Sequence, residues 1–373
     1  MKSKTMVAGT GFALFSMFFG SGNLVFPITV GQQSEGHYLL AALGILFTGV
    51  LVPFLGVFGM MLYKGEIYDF FKSFGKTGTF IFSFLALALM GPFGVLARCL
   101  TVAHGALLLL LPHVSLPLAS FVFCTIIFAF TLNKNKIVSN LGIILTPFLL
   151  TAIAVITFFG LKEGSFPEVA SSSSWAALKN GFFQGYQTMD LLAAFFFSHF
   201  IINHLRKKQA TNEIPNDLSM FQHFYKAAFL GSGLLSIVYF ALVVLGWLYA
   251  PLLANVPPQE MLGAIALNSL GPFAAPFVCL AVMFACLTTA IVLTSLFADF
   301  LRKEVTRNKI GNVPALLTTL AIGFFVSTFD FAGIASFIGP ILEAIYPALI
   351  ALTLFNIANY FLGKNPLHTG PLL

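Results

Sequence analysis

The sequence of 373 residues predicts an all-α polytopic membrane protein whose ten transmembrane helices form a five-plus-five inverted repeat, with discontinuous helices one and six. Composition, recurring apolar segments and two matching polar breaks predict this fold class. Hydrophobic residues make up 58% of the chain and charged residues 9%, and the mean hydropathy is +0.94. Because soluble domains carry about 25% charged residues, a soluble globular protein is excluded. Apolar runs of about 18 or more residues recur, as membrane-spanning helices require.

The apolar runs and the polar stretches between them delimit ten helices in a single transmembrane domain covering residues 1–373. The first five helices form one repeat, residues 6–160, and the last five form the other, residues 179–362. Because five is odd, helix six starts on the opposite side of the membrane from helix one, so the repeats are inverted. Residues 251–270 are equally consistent with a short helix and with a plain loop. The predicted spans are 6–30, 38–63, 77–111, 115–132, 137–160, 179–204, 223–250, 271–301, 313–329 and 331–362.

The basic residues lie mostly on one side of these helices. With the amino terminus in the cytoplasm, sixteen of the 19 lysines and arginines fall in or beside cytoplasmic segments. Lys162 and Lys179 lie outside, and Arg98 lies within helix three. This asymmetry follows the positive-inside rule and predicts the orientation. It also accounts for the net charge of +6 without a nucleic-acid-binding surface, so we expect a lipid bilayer and no nucleic acid as partner.

Helix one is interrupted at membrane depth by Gly20-Ser21-Gly22-Asn23. A broken backbone is tolerated there only where the freed N–H and C=O groups face protein, a ligand or an ion. Broken helices of this kind are typical of the midplane binding site of secondary transporters, so these four residues are predicted to bind substrate. We expect the helix to restart at Leu24, with free N–H groups that suit a carboxylate. The alternative is that the two glycines only permit tight helix packing.

Helix six carries a matching interruption in the sequence GFFQGYQTMDLLAAFFFSHF. At about 1.5 Å per residue, the two breaks lie at a similar depth. Ionised groups at that depth are unfavourable unless they serve a function, which singles out Asp190. Asp190 could bind a substrate ammonium, coordinate a cation or order the unwound backbone. Thr188 could offer its hydroxyl, and Tyr186 and Met189 would either line the pocket or pack in the core.

Three segments together carry a family resemblance. They are FALFSMFFGSGNLVFP at residues 12–27, GYQTMDLLAA at 185–194 and ACLTTAIVLTS at 285–295. In order and spacing they resemble the bacterial branched-chain amino acid carriers, the BrnQ-type cation symporters, along nearly the whole chain. The resemblance implies a leucine-transporter-like fold in a bacterial cytoplasmic (inner) membrane. It also implies import of leucine, isoleucine and valine by sodium symport, with no cofactor beyond the coupling Na⁺.

The resemblance further implies a sodium site between helices one and eight. The paired hydroxyls of Thr288 and Thr289 and the carbonyls of Ser16, Phe19 and Ala285 would hold the ion. Five oxygens without a full charge suit a hard cation. A threonine inside a membrane helix otherwise back-bonds to its own carbonyl ladder.

The chain departs from the family pattern at several positions. The family usually has alanine where Ser21 stands and a second proline where Ile28 stands. In helix three, GPFGVLARCLTVAHG resembles a stretch with a proline before the arginine and an acidic residue after it, whereas this chain has Ala97 and Gly105.

The sequence also admits other functions and roles. A proton-coupled or exchange-type permease of the same fold is the alternative; proton-coupled relatives commonly place a lysine in helix five, and residues 137–160 contain none. An enzyme is not expected, because H-E-x-x-H and paired aspartates at depth are absent. Arg98 could help close an outer gate, face the pocket or extend towards the outer surface. Glu343 could form a structural pair or a gate, and the sequence leaves the oligomeric state open.

Overall fold

A computed structural model describes residues 2–132, 137–164, 166–167, 173–210 and 217–362. Within these ranges the regular structure is entirely helical. The α-helices are α1 (Lys2–Phe18), α2 (Ser21–Gln32), α3 (Tyr38–Leu46), α4 (Val52–Leu62), α5 (Ile67–Phe70), α6 (Gly75–Met90), α7 (Val95–Leu107), α8 (Leu116–Leu132), α9 (Ile137–Glu163), α10 (Ser174–Gln187), α11 (Asp190–Ala210), α12 (Asp217–Leu248), α13 (Ala250–Leu253), α14 (Met261–Leu270), α15 (Ala275–Phe300), α16 (Asn312–Ser327) and α17 (Asp330–Phe361).

Each of the ten predicted spans coincides with one of these helices or with a consecutive pair. By length and hydropathy, five helices of the described residues are sufficient to cross a membrane, and a bent pair would make a sixth. They are Tyr38–Leu62, Lys72–Leu107, Ser219–Leu248, Pro272–Val305 and Asp330–Phe361, with the bent pair Met6–Phe18 and Ser21–Gln32. The chain is therefore an all-helical protein with membrane-spanning helices, and the ten-span inverted repeat stays a prediction.

The break in helix one is confirmed, and its cause is an asparagine. The axes of α1 and α2 differ by 72°. In a continuous helix the Gly20 N–H would donate to the Ser16 carbonyl; here Gly20 is extended and its N–H donates to the Asn23 side-chain oxygen at 3.1 Å. The predicted restart at Leu24 is wrong by three residues, because this contact makes Ser21 the first residue of α2.

The break in helix six is also confirmed. Helix α10 ends at Gln187 and α11 begins at Asp190. Between them, Met189 has φ +59°, in the left-handed region that residues other than glycine rarely adopt. One residue in this conformation ends the hydrogen-bond ladder of α10 and starts a new helix.

Helix three contains a turn that the prediction of one continuous helix over residues 77–111 missed. Helix α6 ends at Met90 and α7 begins at Val95. Pro92 has no N–H to continue the ladder of α6, and a Cβ atom on Gly94 would overlap the carbonyl oxygen of Leu89. The turn places the start of α7 beside the break in helix one.

Close backbone contacts hold the two broken helices against their neighbours. A Cβ atom on Gly246 of α12 would overlap the carbonyl oxygen of Ile28 in α2, and one on Gly181 of α10 would overlap that of Ala41 in α3. Glycine therefore permits an approach that any other residue would prevent, as small residues do between membrane helices. A second group of helices also packs together, namely α7, α8, α15 and α16.

The segment between α12 and α15 is helical rather than a plain loop. It comprises α13, a 3₁₀ turn at Pro258–Glu260 and α14. The turn contacts α2, α7 and α17. At Gly105 of α7 a Cβ atom would lie 2.7 Å from the Gln259 carbonyl oxygen, so glycine at this position lets the segment pack on α7.

Candidate functional site

The two helix breaks meet through a buried hydrogen-bond cluster, which is consistent with their similar predicted depth. The Asn23 side-chain amide donates to a carboxylate oxygen of Asp190 at 2.7 Å and to the hydroxyl of Tyr239 at 2.5 Å. The Tyr239 hydroxyl donates to the same oxygen of Asp190 at 3.0 Å. All three residues are at most 3% exposed. The cluster therefore joins α2, α11 and α12 at the point where both broken helices restart.

Asp190 is held by neutral donors and by a helix terminus. It is the first residue of α11, where a carboxylate interacts favourably with the helix dipole. Its described hydrogen bonds come from an amide and a hydroxyl. A carboxylate that is ordered in this way can receive a cationic group on its cavity side without rearranging its own supports.

Tyr239 was not singled out by the sequence. A tyrosine within the long apolar run of α12 carries no local signal of function. Only the packing of α12 against α2 brings its hydroxyl to Asn23 and Asp190.

A small cavity of about 30 Å³, room for one or two water molecules, lies beside this cluster. Seven of the eight residues predicted to bind substrate line it: Gly20, Ser21, Gly22, Asn23, Thr188, Met189 and Asp190. The eighth, Tyr186, packs instead on Tyr346, with ring centroids 4.6 Å apart. Further lining residues are Met17, Phe18, Met90, Val95, Arg98, Ala193, Phe197, Thr289 and Leu293.

The amino terminus of α2 lies at this cavity. The first N–H groups of a helix have no partner within it, and those of Ser21, Gly22 and Asn23 belong to cavity-lining residues. A Cβ atom on Gly20 would lie 3.3 Å from the Thr289 side chain, so a larger residue at position 20 would press against α15. Together with the positive end of the helix dipole, the donors suit an anionic group.

Arg98 lies in the wall of the same cavity and is fully buried. Its side chain is 1% exposed, which excludes the predicted alternative of extension to the surface. The guanidinium donates from Nη1 to the Gln187 carbonyl and from Nη2 to the Gln187 side-chain oxygen, both at 2.7 Å. The rings of Phe26 and Phe331 lie 5.1 and 5.6 Å from its central carbon. Arg98 thus contacts the break in helix six from α7.

The residues predicted to hold sodium lie near the break in helix one, but the described contacts bring only Thr289 to the cavity. The Thr288 hydroxyl donates to the Phe284 and Ala285 carbonyls, each at 3.1 Å, so it back-bonds to its own helix. The Ser16 hydroxyl donates to Ala13 at 3.0 Å, while the Ser16 carbonyl is released by the break. The ring of Phe19 stacks on Phe15 at 5.1 Å.

Glu343, His104 and His199 do not line the cavity. Glu343 of α17 is exposed. The ring of His104 is hydrogen-bonded to the Val114 carbonyl at 2.9 Å, and that of His199 to the Gly65 carbonyl at 3.1 Å. These histidines therefore stabilise helix ends, and the side chain of His204 lies outside the described part of the chain.

Comparison with known protein families decides the class of this protein. Residues 2–370 match the family model described as branched-chain amino acid transport protein. The chain belongs to this family. It is therefore a multi-pass membrane protein of a transporter family and not an enzyme. One member, the branched-chain amino acid permease BrnQ of Corynebacterium glutamicum, is 30% identical over 364 residues, which are 97% of this chain and 83% of that protein.

Solved structures share the fold at low sequence identity. The inward-facing conformation of Mhp1 aligns with 94% of this chain and 76% of its own, with a TM-score of 0.62 and 15% identity. The substrate-bound outward-open state of a Na⁺-coupled sialic acid symporter aligns with 96% and 86%, with a TM-score of 0.50 and 11% identity. These similarities establish a leucine-transporter-like fold for this member of the branched-chain family.

Proposed function

We propose that this protein imports leucine, isoleucine and valine by sodium symport and binds them in the cavity where the two broken helices meet. Membership of the branched-chain amino acid transport family supports the substrate class. The observation that carries the location is the buried contact between Asn23 and Asp190, beside a cavity lined by both breaks. Broken helices that meet at the midplane are the usual binding site of secondary transporters.

The cavity offers a separate partner for each part of an amino acid. The N–H groups at the start of α2 would receive the carboxylate, and Asp190 would receive the ammonium. The apolar side chains of Phe18 and Met189 would contact the aliphatic side chain. Burial of such a side chain contributes about 1.5–3 kcal/mol, whereas a polar side chain would lose water without gaining partners.

The coupling ion would bind on the α15 side of the same break. Its ligands would be the hydroxyls of Thr288 and Thr289 and the carbonyls of Ser16, Phe19 and Ala285. Two observations support this: the break releases the Ser16 carbonyl, and Thr289 lies against Gly20. A back-bonded hydroxyl such as that of Thr288 directs its proton to the helix, which leaves its lone pairs available to a cation.

With the amino terminus in the cytoplasm, one part of the cavity wall lies on the cytoplasmic side of the breaks. Five cavity residues then extend from the breaks towards the cytoplasm, namely Met17, Phe18, Ala193, Phe197 and Leu293. On the opposite side, the contact of Arg98 with Gln187 and the two neighbouring phenylalanine rings would close the cavity to the exterior. Alternating access would open this contact.

Calorimetric titration of the purified protein with leucine, with and without sodium, tests the proposal. We expect leucine, isoleucine and valine to compete for one site that needs sodium, and alanine to compete weakly. A proton-coupled or exchange-type permease of the same fold would bind leucine equally well without sodium.

A further inference from the structure

We propose that Arg98 is a substrate-binding residue whose guanidinium pairs with the carboxylate of the transported amino acid. This inference rests on the proposed function, because it assumes that the substrate occupies the cavity between the breaks. It adds a charged side chain from α7 to a site otherwise formed by the broken helices. The following observations carry it.

Arg98 is a buried cation with no anion beside it. Within the described part of the chain, no carboxylate lies within 4.0 Å of its guanidinium. Its hydrogen-bond acceptor, Gln187, is neutral in both the backbone carbonyl and the side chain. A buried charge is strongly unfavourable unless a counter-charge accompanies it. A substrate carboxylate would supply this counter-charge whenever the site is occupied.

The guanidinium has donors left for such a ligand. A guanidinium carries five N–H groups, and the contacts to Gln187 use one from each terminal nitrogen. The buried Nε has no hydrogen-bond partner in the described structure. Arg98 lines the cavity, so a ligand there reaches the side chain directly. The planar fork of N–H donors fits a carboxylate with two parallel hydrogen bonds.

The position of the side chain is fixed before any ligand arrives. Gln187 holds both terminal nitrogens, and the rings of Phe26 and Phe331 lie within 5.6 Å of the central guanidinium carbon. A side chain ordered in this way loses little entropy when it binds. Asp190 lines the same cavity three residues beyond Gln187. The cavity wall thus offers one positive and one negative group, which together match a zwitterion.

The test compares leucine with leucinamide, which keeps the side chain and the ammonium but has no carboxylate. Both ligands are titrated against purified wild type and Arg98→Gln in saturating sodium at neutral pH. We expect Arg98→Gln to weaken leucine binding about 10- to 100-fold, the loss of a charge-assisted hydrogen-bond pair. Leucinamide should change by less than about threefold, because it never made that pair.

Two further variants separate this role from a structural one. Gln187→Ala removes one contact of Arg98 but keeps the charge and the backbone contact, so we expect it to weaken both ligands to a similar extent. Arg98→Lys keeps the charge without the fork; it should retain part of the preference for leucine over leucinamide, and it serves as the main variant if Arg98→Gln does not fold.

The outcomes are distinct. An equal effect of the Arg98 substitutions on both ligands, or no effect, would overturn the assignment and leave Arg98 as a contact that closes the cavity. If wild type itself does not bind leucine in sodium, the proposed function fails and this inference fails with it. If wild type binds leucine and Arg98→Gln keeps the full preference for leucine, only the inference about Arg98 fails.

Discussion

At the scale of single residues, the site depends on polar side chains whose partners lie far apart in the sequence. Asp190 could be singled out because a carboxylate in an apolar helix is rare. Its partner Tyr239 could not be singled out, because it stands in an ordinary apolar run and reaches Asp190 only through the packing of α12. Arg98 was visible as a charge within helix three, but neither its burial nor its contact with Gln187 could be predicted, because short-range patterns did not indicate the turn in helix three.

Asp190→Asn tests whether this carboxylate binds the substrate ammonium. The amide keeps the size of the side chain but removes its charge, so leucine binding should weaken by about 2–5 kcal/mol. Titration calorimetry in saturating sodium measures the change. The matched control is Asp299→Asn, whose carboxylate lies 3.8 Å from Arg302 and is 37% exposed, and which should leave binding unchanged. Equal affinities of wild type and Asp190→Asn would make Asp190 a residue that only orders the broken helices.

The double substitution of Thr288 and Thr289 by alanine tests the ion site. Two of five proposed oxygen ligands disappear, so the sodium concentration needed for half-maximal leucine binding should rise about tenfold or more. Thr318→Ala in α16 removes a comparable back-bonded but exposed hydroxyl and serves as the control. Unchanged sodium dependence in the double variant would show that the ion binds elsewhere or is not sodium.

At the scale of helices, both discontinuities followed from composition, but their boundaries did not. Glycines and polar residues in a membrane helix indicate a break, yet its position depends on which side chain caps the new helix. The Asn23 side-chain oxygen accepts a hydrogen bond from the Gly20 N–H, so α2 starts three residues earlier than expected. The left-handed conformation of Met189 is likewise a tertiary effect, because methionine has no intrinsic preference for it.

Two glycines of α12 give a matched test of helix packing. Gly246→Ala places a methyl group against the Ile28 carbonyl of α2, whereas Gly233→Ala meets nothing within 4 Å. We expect Gly246→Ala to lower the apparent melting temperature of the detergent-solubilised protein, with a cost of about 1–3 kcal/mol or more. Gly233→Ala should be neutral or slightly stabilising. Equal melting temperatures of the two variants would contradict the close approach of α2 and α12.

At the scale of the whole molecule, the sequence indicated the transporter family and a leucine-transporter-like helical fold, and the family match and the shared architecture bear out both, whereas the ten-span inverted repeat stays a prediction. The side of the membrane on which the cavity opens could not be predicted. A transporter adopts inward-facing and outward-facing conformations with one sequence, so local patterns encode both. The contacts of Arg98 with Gln187 and the neighbouring phenylalanines likewise depend on tertiary packing, which local patterns do not encode.

Uptake of radiolabelled leucine into proteoliposomes tests the central claim, that a sodium gradient drives branched-chain amino acids through this cavity. With sodium outside and potassium inside, leucine should accumulate above its external concentration, and excess isoleucine or valine should suppress the uptake. The double Thr288 and Thr289 variant should lose this accumulation, because its ion site lacks two ligands. Accumulation that follows a proton gradient instead, or that is unaffected when choline replaces sodium, would contradict the account.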